Sequence, residues 1–258
     1  MRNVNNMNLA QQIYNQPPHQ RHQTILAQAN LTQSMSELQK SQKISNFIDT
    51  FIDDYFKILI NNDQQRSEGS VLQPKNFKIE LKKKLRPFLS TVKAEMQNIS
   101  TINQTPKNIY ELSGAIKLSS ANNITRSLST KLGLLWEVVA NISPYSISPE
   151  IEFSGLKLVG IDLISKNKLT NIVEYHQLKT QKNTLTGSQR TRAVQELSTY
   201  QNPVFCACFE LNNWTFRDQY IPRVAGINFW SRIGIDYVIF EAYTVILFKL
   251  LDREFTKL

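Results

Sequence analysis

Between residues 158 and 179 the chain reads LVGIDLISKNKLTNIVEYHQLK, two stretches of alternating side chains around a polar break. A period of two fits strands, whose successive side chains point to opposite faces. Ser165, Lys166, Asn167 and Lys168 supply the break, and a second strand resumes over residues 172–179. With the turn centred between Leu169 and Thr170, Asp162 faces Gln177, and such facing Cβ atoms lie roughly 4.5–5.5 Å apart. Lys179 follows two residues on and shares a side with Gln177. One face then carries Gly160, Asp162, Tyr175, Gln177 and Lys179. The other carries Val159, Ile161, Leu163, Ile172 and Leu178 and suits burial. Glu174 has the wrong parity to join the polar face without a bulge, and a slip of one residue would undo the pairing.

An acid, an amide and an amine on one face of a strand pair have a definite chemistry. Asp162 and the Gln177 carbonyl offer the oxygen ligands that a hard cation such as Mg²⁺ takes. Water bound to such a cation loses its proton more readily than bulk water, whose pKa is about 15.7. Lys179 can hold that water or offset charge that builds on a phosphate. Spacing alone equally describes an exposed hairpin that happens to be polar.

Asp162, fourteen intervening residues and then Gln177-Leu178-Lys179 resemble the PD-(D/E)XK nuclease superfamily, in its variant with glutamine before the lysine. Glu137, in LGLLWEVVA, matches the glutamate that this superfamily often carries on a preceding helix. The continuation KTQKNTLTGSQ is similar to the segment after the catalytic lysine in type II restriction endonucleases, and within them to the subfamily that cuts GTGCAC. Two positions depart from the pattern: Asp162 follows Ile161 rather than proline, and Gln177 stands where an acid is usual. The resemblance covers roughly residues 120–215 and rests on short motifs. It implies an α/β (α+β) fold with a central mixed sheet flanked by helices, a restriction-endonuclease-like core. It also implies Mg²⁺ held by Glu137, Asp162 and Gln177, with Lys179 completing the catalytic set.

Composition agrees with a polyanionic partner. The net charge is +9 and the pI near 9.5. Between residues 75 and 95 seven cations meet two acids, and between 157 and 192 seven again meet two, so one basic zone coincides with the hairpin. A basic zone alone is more often a solvated face. Cys206 and Cys208 are the only cysteines and alternate along one apparent strand, which suggests reduced thiols and a cytoplasmic setting. Neither a zinc set, a signal-type leader nor an apolar run of about 18 residues is expected.

Taken in order, residues 1–35 are crowded with Asn and Gln and broken by Pro17-Pro18, which reads as a loosely ordered arm that docks onto the body or a partner. His19 and His22 read as surface residues there. Apolar residues at three- and four-residue steps predict one helix over 36–61, with Asp49, Asp53 and Asp54 on its solvated side. A second helical stretch over 75–99 contains Pro87, expected to end or kink it near Arg86. Lys82, Lys83 and Lys84 in it are candidates for contacts to the DNA backbone. A shorter helix is expected over 105–117. Another follows over 124–141, where periodicity puts Glu137 opposite the apolar stripe, in water or in a cleft if the hairpin packs over it. His176 reads as a packed, neutral histidine.

Ser188 is the expected N-cap of a helix over 189–200. Arg190 and Arg192 in its first turn oppose the helix dipole, which argues for an anionic partner. Lys182, Asn183, Thr184, Ser188, Gln189, Arg190 and Arg192 are the candidate DNA contacts of this region. PVFCACFEL, residues 203–211, reads as a central strand. Trp214 and Trp230 read as core, and 236–251 as a strand followed by a helix. The expected organisation is an arm (1–35), a helical region for DNA-backbone contact or dimerisation (36–118) and the nuclease-like core (119–258). The leading expectation is a Mg²⁺-dependent endonuclease of double-stranded DNA that acts as a homodimer, since two cuts in a palindrome need two sites. A repair or junction-resolving nuclease and a non-catalytic DNA-binding protein are the alternatives.

Overall fold

The computed structural model describes residues 6–66, 69–99 and 109–256. In chain order the elements are α1 (Met7–Asn15), α2 (Pro18–Gln28), α3 (Glu37–Ile48), α4 (Ile52–Gln64), α5 (Pro74–Ile99), α6 (Ile109–Leu112), α7 (Ile116–Ala140), β1 (Ser146–Ile147) and α8 (Pro149–Glu152). They continue with β2 (Leu163–Lys166), β3 (Val173–Lys179), α9 (Gly187–Leu197), β4 (Pro203–Ala207), β5 (Arg223–Ala225), α10 (Ile227–Arg232) and α11 (Tyr237–Phe255). Among the described residues five strands form one mixed sheet in the order β1-β2-β3-β4-β5, antiparallel up to β3 and parallel beyond it. The chain is therefore of the α/β class, with helices on both faces of the sheet.

The hairpin has the register that its alternation dictates. Leu163 pairs His176 and Ile164 pairs Tyr175, so the next pair outward is Asp162 and Gln177. Its faces differ from expectation. The face of Ile164, Tyr175 and Phe205 is not polar but buried under α1–α4 and α9, against Ile48, Tyr55, Ala193 and Leu197. The opposite face, with Leu163, Leu178, Val204 and Cys206, packs against Phe77, Trp136, Trp230 and Phe240 of α5, α7, α10 and α11. A sheet buried on both sides loses its polar face except at the open end of its strands. The first strand also starts later than expected. Gly160 (φ +77°) and the Leu158–Ile161 bridge make a tight turn ahead of β2, while Ile172 belongs to the connection and is exposed.

The off-parity residues join the second face. Glu174 is buried, accepts from Arg232 Nη1 (2.6 Å) and Asn167 Nδ2 (2.9 Å), and so finds its charge partner inside. His176 is fully enclosed between Ser165 Oγ (2.6 Å) and Cys206 Sγ (3.1 Å). Burial, aided by Arg232, pushes its pKa down to about 3, so it is neutral and packed as expected. Cys206 and Cys208 are both buried free thiols. Trp230 is core, and its Nε1 donates to Cys208 O, whereas Trp214 is only partly buried under Arg223.

The N-terminal segment is not a loose arm. It forms α1 and α2, whose Ala10, Ile13 and Ile25 are buried in the same core as the sheet; His19 is exposed there. The helix expected over 36–61 is two helices, because the chain turns tightly at Thr50 and Phe51, whose amides donate to Phe47 O and Ile48 O. That turn sends Phe51 against Phe153 and Tyr55. The three aspartates are accordingly not a solvated row. Asp49 accepts from Tyr175 Oη (2.6 Å), Asp53 pairs with buried Lys166, and buried Asp54 accepts from Asn6 N and Lys57 Nζ. Burial raises Asp49 to about 6, against the opposing pull of the Tyr175 hydroxyl.

Helix α5 continues through Pro87, held by the buried Leu81, Leu85, Val92 and Met96 on either side of the missing amide. The helix expected over 105–117 lies partly outside the described residues; α6 falls within its span. Residues 236–251 are one helix rather than a strand and a helix. Asp236 caps α11 by accepting from Ile239 N, and Phe240, Thr244, Leu247 and Leu251 make a buried stripe at helical spacing. No helix among the described residues is long and apolar enough to cross a membrane.

Candidate active site

At the open end of the sheet, where β3 runs out beyond β2, three elements converge. The turn that ends in Gly160 delivers Asp162, β3 delivers Gln177 and Lys179, and the last turns of α7 deliver Glu137. The Asp162 amide donates to His176 O (2.9 Å), and its carboxylate Oδ2 accepts from Leu178 N (2.6 Å). The side chain thus takes the place that a main-chain carbonyl holds further down the ladder, which fixes it beside β3. Trp136 Nε1 donates to Thr180 Oγ1 (3.1 Å), and that bond ties the turn of α7 carrying Glu137 to the strand carrying Lys179. Glu137, placed in water or in a cleft by its sequence, is half-buried and borders a cavity of about 180 Å³. Ser148, Pro149, Glu150, Lys157, Gly160 and Asp162 share that border.

The electrostatics are those of crowded carboxylates. Burial pushes Glu137 up to about 7, with further upward pressure from Asp162 and Glu150 and relief from Lys179. Asp162 opens partly to the cavity but its carboxylate is otherwise enclosed. Burial raises its pKa too, Lys179 and the Leu178 amide lower it, and Glu196 adds repulsion. The positive charge of Lys179 favours the ionised form of both acids. Gln177 is 8% exposed and its Oε1 has no hydrogen-bond partner. A buried carbonyl oxygen left without a donor costs roughly 1–3 kcal/mol unless something else satisfies it.

These donors suit a hard cation. Asp162 and Glu137 supply anionic oxygens and Gln177 an orphaned neutral one, all of the class that Mg²⁺ binds. Among the described residues no three His, Cys, Asp or Glu side chains form a group that could hold a metal ion by themselves.

Two residues of the site have no place in the expectation. Glu150 sits on the single turn of α8, too short for any periodic signal; Pro149 at a helix start was the one available cue. Glu196 is buried on α9 beneath Gly160, and its spacing of four from Arg192 was a readable sign of an ion pair.

The candidate DNA contacts divide. The N-cap of α9 is Thr186, not Ser188, which is exposed within the first turn. Gln189 Oε1 accepts from Thr186 N and Oγ1 (both 3.1 Å), so Gln189 closes the helix start instead of standing free. Arg192 Nε donates to Glu196 (2.6 Å), which answers its conflict with the helix dipole internally, whereas Arg190 is exposed. Lys182 pairs with Glu210 (2.9 Å), Asn183 accepts from Asn212, and Thr184 donates to Gln181 O. On α5, Lys82 lies over the Tyr243 ring (5.5 Å), Lys83 pairs with Glu80 (2.7 Å) and Lys84 is exposed. None of these three borders the cavity. No protein-family model matches the chain, and no curated protein matches it either.

Proposed function

We propose that the protein is a Mg²⁺-dependent endonuclease of double-stranded DNA, of the type II restriction class, working as a homodimer. The observation that carries this reading is the buried, unpartnered Oε1 of Gln177 set two residues before Lys179 and beside the enclosed carboxylate of Asp162. Buried polar atoms are as a rule hydrogen-bonded, so an orphaned amide oxygen beside a carboxylate has room for an added partner. Bound there, Mg²⁺ would act as a Lewis acid toward a phosphodiester and make its own water more acidic.

The chain's residues have separate tasks. Asp162 and Gln177 hold oxygen ligands at fixed positions, the first through Leu178 N and the second by burial. Glu137 contributes a third oxygen from across the cavity. Lys179 orients the attacking water and offsets the charge that grows on the phosphate oxygens. The P–O bond to the 3′ oxygen breaks as the water oxygen bonds phosphorus, leaving a 5′-phosphate and a 3′-hydroxyl. Exposed Arg190 and Lys84 are left for the DNA backbone.

The test is a pair of purified variants, Asp162→Asn and Lys179→Ala. Each is expected to lose cleavage by about 10³-fold or more while retaining DNA binding, since both act at the scissile phosphate and binding is spread over many backbone contacts. Cleavage at the wild-type rate by either variant overturns the reading. Selective cutting of branched DNA over any linear duplex would move the assignment to a junction-resolving nuclease. Salt-dependent binding without hydrolysis would move it to a DNA-binding protein.

A further inference from the structure

Helix α8 is a single turn, yet it carries Glu150 and Pro149 to the edge of the cavity. One turn cannot hold its own position by helix hydrogen bonding. What fixes it lies outside the turn. At its start, Ser148 N donates to Asn141 Oδ1 (2.8 Å), just past the end of α7. At its end, one carboxylate oxygen of Glu152 accepts from both Arg21 Nη1 and Tyr55 Oη. Phe153, fully buried, sits edge-on to Phe51 and Tyr55 with ring centroids 6.5 and 6.0 Å away. His22 Nδ1 also meets Ser154 O (2.9 Å).

Arg21 is the centre of this arrangement. Its Nε donates to Gln16 O and its Nη2 to Tyr14 O, both at 2.8 Å, so the guanidinium closes the turn between α1 and α2. The same group lies over the Tyr14 and Tyr55 rings, at 5.6 and 5.8 Å. With side chains 13% and 18% exposed, Arg21 and Glu152 form a pair largely removed from water. A planar fork with every edge committed transmits position in a way that a flexible ammonium does not.

We infer that the N-terminal helix pair, together with α4, is a brace for the candidate active site, in which Arg21 of α2 and Tyr55 of α4 act through Glu152 as positioning residues that set α8 and thereby Glu150. The inference rests on the reading of the cavity as the active site for its catalytic consequence, though not for its structural one. Residues of this kind touch no reacting atom. They keep a wall carboxylate within the fraction of an ångström that a preorganised site needs.

The experiment compares wild type with Arg21→Met, which keeps the stem and loses the fork, and Glu152→Gln, which loses the charge. Asp53→Asn is the control. It breaks an equally long-range pair, to Lys166, without touching α8. Hydrogen exchange is read at the amides of Ile151, Glu152, Phe153 and Gly155, which bond within the α8 turn. Arg21→Met and Glu152→Gln are expected to speed exchange there at least tenfold while β3 and β4 stay protected, and Arg21→Lys to recover part of the protection. Asp53→Asn is expected to lower the melting temperature and leave these amides unchanged. With DNA and Mg²⁺, both brace variants are expected to lose about tenfold in kcat at constant KM. Unchanged α8 protection in both brace variants, or equal loosening by the control, overturns the inference. Loosened α8 in the brace variants, with a wild type that cuts no DNA, would leave the brace standing and remove the nuclease reading instead.

Discussion

At the scale of single residues, Glu137 shows how the site is tuned. Its pKa stands at about 7 because burial and two neighbouring carboxylates penalise its charge. The ionised form is the one that holds a cation, so Mg²⁺ affinity and cleavage are expected to rise as pH increases through about 7. Stability runs the other way. Between the ordinary carboxylate range and 7 the native state keeps a proton that the unfolded chain has released, so the cation-free protein loses stability as pH rises through that window. Glu137→Gln removes the loss. Its cation-free melting temperature is expected to exceed wild type at pH 8 by several degrees, at about 2–4 °C per kcal/mol, and to match it near pH 4.5. Melting curves at the two pH values check this; a variant less stable than wild type at pH 8 would refute the crowding of carboxylates around Glu137.

At the scale of elements, the turn before β2 and the start of α9 are the informative pieces. Gly160 has φ +77°, and a Cβ there would lie 2.8 Å from both Cβ and Oε2 of Glu196. Gly160→Ala is expected to destabilise by about 1–3 kcal/mol through backbone strain and contact, and to displace Asp162 two residues on. Denaturant unfolding together with cleavage assays checks both effects. On α9, Arg190 is exposed and Arg192 is engaged by Glu196. Arg190→Ala is therefore expected to weaken DNA binding and reduce the salt slope by about one, more than Arg192→Ala does. Binding measured across salt concentrations separates the two; equal effects would mean that the Glu196 pair opens on DNA.

These elements also show what was legible beforehand. The hairpin register was readable because period-two alternation around the polar break keeps Leu163 and Leu178 on one face and sets Asp162 opposite Gln177. The order of strand, strand, helix and strand through β4 was readable for the same reason. Burial of both sheet faces was not, since Ile164 and Tyr175 tolerate either side of an interface and Tyr175 needs Asp49, 126 residues away, to satisfy its hydroxyl. The break between α3 and α4 was hidden because the apolar stripe continues across Phe51. The helices α1 and α2 were hidden by Asn and Gln, whose exposed positions outnumber the few buried Ala and Ile that anchor them. Glu150 was invisible because one helical turn has no period.

At the scale of the molecule, the described sheet is enclosed by two helical layers, and Asp162, at the end where β3 runs beyond β2, borders the same cavity as Glu137. Residues 6–64 contribute to the same core as β2, β3 and β4, so the N-terminal helices support the site rather than extend from it. On the proposed reading the excess of cations, +9 over the whole chain, with Arg190 and Lys84 exposed, would serve association with the DNA. The central claim is that this open end hydrolyses DNA at defined positions. Incubation of the purified protein with phage DNA and Mg²⁺, followed by sequencing of the ends, tests it most directly. Discrete ends with a 5′-phosphate and a 3′-hydroxyl are expected, absent without Mg²⁺ and absent for Asp162→Asn. DNA left intact by the wild-type protein, or cut equally well by Asp162→Asn, would contradict it.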